Sequence, residues 1–422
     1  MQNLGTHEIK PVTIGVVGAG VVGLCTALEL QREGFQVTLI DKNEPGLGAS
    51  FGNAGYLATE LIDPLSTTKT LRSALSMWLN PHGPLSLPLA YFHRILPWLA
   101  RFIGAAKPSK VTKGRLALAS LNQASISAWQ RCLKDIGAHE QLVKSGYLLV
   151  WESKNKLDEA KNHAAFLSDW GIQTELVQDK RLAELEPNLA ASVSHALFFP
   201  DAYRVTDPYH LCEMLFATFM ARGGHFIKQA VSELIPQTKG VLLKTAEDHF
   251  SFDKTVICAG AWSKSLLQDV GLNVPLEAER GYHLIFKQES MPLNHPIGSA
   301  ERKFVMTPLE TGLRAVGMTE LGGLKLKPFK QRFAVLAHHS RKILPQLNNK
   351  NIEMDEWMGF RPTLPDSLPV IDQHPTLHDL YFAFGNQHLG LTQAAISAEL
   401  VSQLMLDIQP KINCEPFSVK RF

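Results

Sequence analysis

Cysteine is scarce and unpatterned. The five present are Cys25, Cys132, Cys212, Cys258 and Cys414, and no two form a CxxC pair. That spacing argues against a disulfide framework or a cysteine-ligated metal, and it fits a reducing, cytoplasmic setting. An excess of one charge is also missing. Lys plus Arg is 42 against 40 for Asp plus Glu, a net charge of +2, so the concentrated basic character of a nucleic-acid binder is not there. No uncharged apolar run approaches the ~18–20 residues that span a bilayer. The first ten residues are polar and mixed in charge, and a strand-like run starts at Val12, which leaves no room for a signal peptide. No internal repeat or low-complexity tract is visible. What remains is an ordinary globular balance, 45% apolar and 19% charged over 422 residues. That is enough for about two or three domains and a large core.

Residues 12–18 read VTIGVVG, short, apolar and rich in β-branched side chains, as a strand buried on both faces should be. They run into Gly18-Ala19-Gly20-Val21-Val22-Gly23, a GxGxxG. Residues 24–33 then have helical spacing and Gly34 stops them. Residues 35–40 form a second strand that ends at Asp41. Each glycine has its own physical role. The first permits the tight turn, the second lets backbone approach a pyrophosphate, and the third allows close helix–strand packing. The helix start offers open N–H groups and the positive end of its dipole to phosphates. Asp41 is placed to accept hydrogen bonds from ribose hydroxyls. Strand, helix and terminal acid together supply the context that a bare GxGxxG lacks.

Three further segments separate flavin from nicotinamide. Residues 46–55 read GLGASFGNAG, a small-residue loop directly after the second strand, where nicotinamide dehydrogenases rarely place one; a flexible linker is the plain alternative. Residues 255–262 read TVICAGAW, a strand ending in a small-residue turn, preceded by a strand-like stretch at 224–234. Residues 358–365 read MGFRPTLP. A strand at 380–384 then leads into Gly385-Asn386-Gln387-His388-Leu389-Gly390-Leu391-Thr392, and the spacing is helical from Leu391 onward. That helix start would favour negative charge on a nearby ring.

In this order and spacing the chain resembles the D-amino acid dehydrogenase branch of the D-amino acid oxidase superfamily, over about residues 12–405. The resemblance implies an α/β fold: a discontinuous Rossmann-like FAD-binding domain of glutathione-reductase type at 1–80, 201–272 and 350–422. An α+β substrate domain with a mainly antiparallel sheet would occupy 81–200 and 273–349. Helices are expected at 115–135 and 154–170, and strands at 280–286 and 304–308. FAD would be held non-covalently by Gly18, Gly20, Gly23, Asp41, Lys42, Ser50, Asn53, Ala54, Gly55, Val231, Ala259, Gly260, Gly390, Leu391 and Thr392, with Val231 touching the adenine through its backbone.

For chemistry, an amino acid brings a carboxylate, and Arg offers it a bidentate partner. Arg361, within Gly359-Phe360-Arg361-Pro362, matches the element that holds the substrate carboxylate in relatives; a salt bridge to Glu356 or Asp366 is the structural alternative. Tyr282 would add a hydroxyl and His388 would bind near the ring or orient substrate, though both also read as ordinary structural residues. Tyr56 and Tyr203 are weaker candidates for a lid. The implied reaction is oxidative deamination of a D-amino or cyclic D-imino acid, such as D-proline or D-hydroxyproline, with hydride passing from Cα to flavin N5 and electrons leaving to a quinone or other acceptor. An oxygen-using glycine- or sarcosine-type amine oxidase, or a flavin-binding subunit of a larger dehydrogenase, stays open beside it.

Residues 85–106 read LSLPLAYFHRILPWLARFIGAA, apolar and aromatic with His93, Arg94, Arg101 and the adjoining Lys107. This stretch fits peripheral contact with the inner face of a membrane. A helix packed over the substrate domain is the plainer and preferred reading, with Pro88 and Pro97 breaking the helical pattern.

Overall fold

The computed structural model describes residues 12–287, 293–349 and 351–422; the polar first ten residues lie outside that range. β1 (Thr13–Val17) is sealed on both faces, with Ile14 and Val16 fully buried and Val17 5% exposed. Its neighbours are parallel. Val16 stands opposite Leu39 of β2 (Gln36–Asp41) and opposite Val256 of the strand Lys254–Ile257. The whole sheet runs His225–Lys228, β2, β1, Lys254–Ile257, Leu380–Phe384, Val370–Gln373. Only the last strand is antiparallel.

α1 (Val21–Arg32) starts inside the GxGxxG and buries Leu24, Ala27, Leu28 and Leu30. The helix Gly390–Met405 is buried almost all round, as an apolar helix at the centre of a large domain must be. Polar pins hold it. Trp129 Nε1 donates to Leu391 O at 2.8 Å, and Gln393 donates to Asn122 at 3.0 Å while accepting from Asn386 at 3.0 Å.

The second sheet has nine strands among the described residues. It runs Glu353–Thr363, Glu277–Lys287, Gly312–Leu321, Phe304–Leu309, Ile297–Ser299, Tyr147–Trp151, His195–Phe199, Glu175–Gln178, with Leu85–Ser86 beside Gly312–Leu321. It is antiparallel except where Ile297–Ser299 meets Tyr147–Trp151 and at Leu85–Ser86. A parallel sheet carrying the glycine turn, beside a mainly antiparallel sheet, is the expected architecture. The expected helices are α4 (Pro108–Asp135) and Leu157–Ser168.

Three details differ from the expectation. Residues 224–234 are two strands, because the chain leaves the parallel sheet after Lys228; Glu233–Pro236 opens a separate three-stranded antiparallel sheet. Glu353–Thr363 pairs along its whole length with Glu277–Lys287, so Arg361, within the 350–422 stretch expected in the FAD-binding domain, stands in the second sheet. α3 (Phe92–Ala105) runs through Pro97 unbroken. Pro97 lies on the exposed side, where the unpaired backbone groups it leaves meet water.

Candidate active site

Two cavities meet between the sheets. The first, about 340 Å³, lies at the carboxyl ends of β1, β2 and Lys254–Ile257, the place where open α/β sheets bind ligands. Gly18 has φ +110°, and a Cβ there would stand 2.4 Å from Cys258 O; a Cβ on Gly23 would stand 1.8 Å from Gly18 O. These glycines let α1 seat directly on the end of β1. The helix has no side-chain cap of its own. Its first amide, Val21 N, donates to Ser50 Oγ at 2.9 Å, which leaves the hydroxyl proton of Ser50 free for an anionic oxygen. Asp41 Oδ2 accepts from Ala19 N at 2.8 Å and Oδ1 from Asn43 N at 2.9 Å. The glycine turn and the acid are thus locked together.

Of the residues expected to hold the cofactor, Gly18, Gly20, Asp41, Lys42, Ser50, Asn53, Val231, Ala259, Gly260, Gly390 and Leu391 line this cavity. Lys42 Nζ sits 3.7 Å over the Trp262 ring, and burial lowers its pKa. Ala54 lines the neighbouring cavity. Gly23, Gly55 and Thr392 line neither cavity. Gly23 acts through helix packing. Gly55, at φ +76°, has Leu309 2.8 Å from where its Cβ would be, and Thr392 Oγ1 accepts from Ala58 N at 3.0 Å. Space at Gly260 and Gly390, where an added Cβ would meet nothing within 4 Å, and helix starts whose N-cap residues provide no side-chain cap at both α1 and Gly390–Met405 suit an elongated dinucleotide with a central pyrophosphate.

The second cavity, about 940 Å³, shares Ala49, Asn53 and Gln387 with the first and is lined by Arg361, His388 and Glu279. Arg361 Nη1 donates to Glu279 Oε1 at 2.8 Å and to Met318 O at 3.3 Å. Thr319 and Thr363 hydroxyls donate to the same carboxylate at 2.9 Å each. Burial works against ionisation of Glu279, but the Arg361 charge and these bonds outweigh it and hold its carboxyl below the usual range. Gly281 makes room, since a Cβ there would lie 2.5 Å from the guanidinium carbon. Nε and Nη2 of Arg361 have no protein acceptor among the described residues and remain available to a ligand. His388 is pushed down to about 4, by burial first and by the Arg361 charge second, with Glu279 opposing. It is therefore uncharged at neutral pH.

Tyr282 is not brought to the cavity. Side chains alternate along Glu277–Lys287, so Glu279 and Gly281 face the cavity and Tyr282 faces the other way. Its hydroxyl donates to Glu320 at 2.8 Å and accepts from Phe329 N at 3.1 Å, with its ring against Phe333. Tyr56 does line the cavity: its hydroxyl donates to Glu60 at 2.6 Å and its ring stacks on Tyr147. Tyr203 lies in a small three-stranded sheet, opposite Leu57. The acid that Arg361 finds is neither Glu356 nor Asp366; Asp366 pairs with Arg421.

Two residues that matter here carried no sequence signal. Glu279 is one. Arg314 is the other: it is 1% exposed and donates to Phe51 O at 3.0 Å, Asn53 O at 2.9 Å and Asp207 at 3.3 Å. It pins the loop that forms the wall between the two cavities.

A glycine-turn cradle for a dinucleotide, opening into a cavity walled by an antiparallel sheet, defines a flavin-type oxidoreductase. The chain belongs to the FAD dependent oxidoreductase family, which it matches over residues 13–404. It is 31% identical over 415 residues to a D-amino-acid oxidase of Bradyrhizobium diazoefficiens, covering 97% of this chain and 98% of that one. It is 28% identical to D-amino acid dehydrogenase 2 of Ralstonia nicotianae, covering 97% and 100%. Its fold is similar to that of glycine oxidase from Geobacillus kaustophilus, with a TM-score of 0.78, 20% identity and coverage of 97% and 99%.

Proposed function

We propose that this chain dehydrogenates the carbon–nitrogen bond of a D-amino acid or cyclic D-imino acid and passes the electrons to a quinone or similar acceptor. The observation that carries the reading is Arg361, whose Nε and Nη2 have no acceptor among the described residues, in a cavity that opens onto the cofactor cradle. Bound FAD supplies the hydride acceptance. Gly18, Gly20, Ser50 and Asp41 would hold its phosphates and ribose, and the amides at Gly390 and Leu391 its ring. Non-covalent binding is part of this reading, supported at Cys258, which lines the cradle and whose thiol burial pushes up to about 12, away from a reactive thiolate.

Arg361 clamps the substrate carboxylate through Nε and Nη2, which orients Cα. Glu279 keeps the guanidinium in place from behind. Neutral His388 adds no second cation, so it neither competes for the carboxylate nor repels the substrate nitrogen, and it can accept a hydrogen bond from that nitrogen. The names of the two relatives support D-amino acids as the class. The Bradyrhizobium relative, named an oxidase, favours oxygen as the second reading for the acceptor.

The test is anaerobic mixing of the purified protein with D- and L-amino acids, D-proline, D-hydroxyproline, sarcosine and glycine, followed by the visible absorbance of oxidised flavin. Bleaching by D-amino or D-imino acids is expected. Bleaching by sarcosine or glycine alone would move the chain to amine oxidation. No bleaching in a protein that holds FAD would sink the substrate class. Oxygen uptake compared with quinone reduction separates the acceptors.

A further inference from the structure

α2 (Thr68–Leu79) and α3 leave an apolar surface uncovered. α2 buries none of its residues, and Leu75 and Leu79, one turn apart, are 61% and 67% exposed. In α3, Ile95 and Trp98 lie against the molecule. Phe92, Leu96 and Ile103 form the adjoining stripe and face solvent, and Leu89 just before the helix is 79% exposed. The pieces are tied together. Trp78 Nε1 donates to Leu87 O at 3.3 Å. Arg332 Nη2 donates to Gly83 O at 3.0 Å, which brings in residues 322–330 with the exposed Leu324 and Phe329. Single exposed leucines are normal, but a concentration of this size marks an interaction surface.

Charge identifies what covers it. Between Asp63 and Asp135 the chain has ten Lys and Arg and no Asp or Glu. Lys69, Arg115 and Arg131 pair with Glu159, Asp63 and Glu399. Arg72, Arg94, Arg101, Lys107, Lys110 and Lys113 are exposed and have no carboxylate partner among the described residues. Lys325, Lys327 and Lys330 add to the same corner. A second copy of this chain would bring those cations face to face. A bilayer with anionic headgroups satisfies both features, with acyl chains taking the leucines and phosphates the cations.

We propose that α2, α3 and residues 322–330 dock this protein on the surface of an anionic lipid bilayer. The surface adjoins the site, because Trp98 Nε1 of α3 donates to Thr363 O at 3.4 Å, two residues beyond Arg361. Docking would set the catalytic cavity beside the phase in which a lipid-soluble electron acceptor is dissolved.

The experiment is flotation of the FAD-loaded protein with phosphatidylcholine vesicles, with and without phosphatidylglycerol, at low and high salt. Flotation with the anionic vesicles is expected, falling as salt rises, with little on phosphatidylcholine alone. Arg94→Gln and Arg101→Gln should each weaken it about fivefold, and Leu75→Glu with Leu79→Glu and Leu96→Glu should abolish it. All these positions are exposed, so flavin bleaching by the best amino acid in vesicle-free solution should match the parent. That readout reports on the substrate reading alone. No flotation, salt-independent flotation, or unchanged flotation of the glutamate variants would overturn the docking surface. So would a stable dimer that the glutamate variants split.

Discussion

Arg361 and Glu279 sit opposite each other on neighbouring antiparallel strands, and the guanidinium donates Nη1 to the carboxylate at 2.8 Å. The pairing uses one end of the arginine and leaves Nε and Nη2 to the cavity. Arg361→Lys keeps the charge and loses the fork. A charged hydrogen bond is worth about 1.5–3 kcal/mol, so the KM for the amino acid should rise on the order of 10- to 100-fold, with FAD content unchanged. Glu279→Gln should behave differently. The amide keeps the shape but holds the guanidinium less firmly, so kcat should fall about tenfold or more with a smaller change in KM. Steady-state kinetics of both variants distinguish a binding group from a positioning one. Equal kcat and KM effects in both would contradict the division of labour.

Glu60 should make stability fall with rising pH. Burial holds its carboxyl up at about 7, against the Tyr56 hydrogen bond, from an ordinary value of 4.5. The folded chain therefore binds this proton more tightly than the unfolded chain does. The contribution to stability is complete below the ordinary value and is lost as pH climbs through about 7. Its full size is at most ~3 kcal/mol, since each pH unit between the two values contributes ~1.4 kcal/mol. Glu60→Gln has no proton to lose over this range. Thermal melts from about pH 5 to about pH 8 should show the variant gaining on the parent by a few degrees. A constant difference in Tm would mean that Glu60 is already ionised at low pH.

Arg314 should be essential to cofactor retention although it lines neither cavity. It holds the carbonyls of Phe51 and Asn53 and pairs with Asp207, which also caps the helix Pro208–Ala221 through Tyr209 N and His210 N. Arg314→Met leaves a buried carboxylate with one partner fewer, a loss of about 3–5 kcal/mol, and it frees the loop at 48–55. Lower Tm and loss of FAD on gel filtration are the expected results. Full FAD occupancy at a lowered Tm would reduce Arg314 to a purely structural pin.

The cofactor half was legible because its signals are local. Glycines, flanking strand, helix and Asp41 all fall within thirty residues of chain, and each acts on its neighbours. Arg361 was legible for the same reason, from the four residues around it. Glu279 was not, because its partnership depends on the register that sets it opposite Arg361. Tyr282 was misplaced by the period of two along a strand: one position from Gly281, it points into the opposite core. Arg314 carries no motif, and its role comes from long-range contacts with a loop some 260 positions earlier. Pro97 misled because a proline on a solvent-facing side of a helix costs less than one facing the core.

Gly23 gives the sharpest test of the cradle, because its constraint is backbone against backbone. An added Cβ would stand 1.8 Å from Gly18 O, and no rotamer change can relieve that. α1 would have to move off the end of β1, taking with it the amides that would receive a pyrophosphate and disturbing the bond from Ala19 N to Asp41. Gly34, at the other end of α1, is the matched control. It has φ +88° but nothing within 4 Å of its added Cβ, so Gly34→Ala costs only the left-handed strain, roughly 1–2 kcal/mol. Gly34→Ala should purify yellow with a somewhat lower Tm. Gly23→Ala should purify colourless, or lose its FAD during purification, while its far-UV circular dichroism stays close to the parent's. A Gly23→Ala protein with full FAD occupancy would show that the helix has room to retreat without losing the phosphates, and the close seating of α1 on β1 would then not be what holds the cofactor.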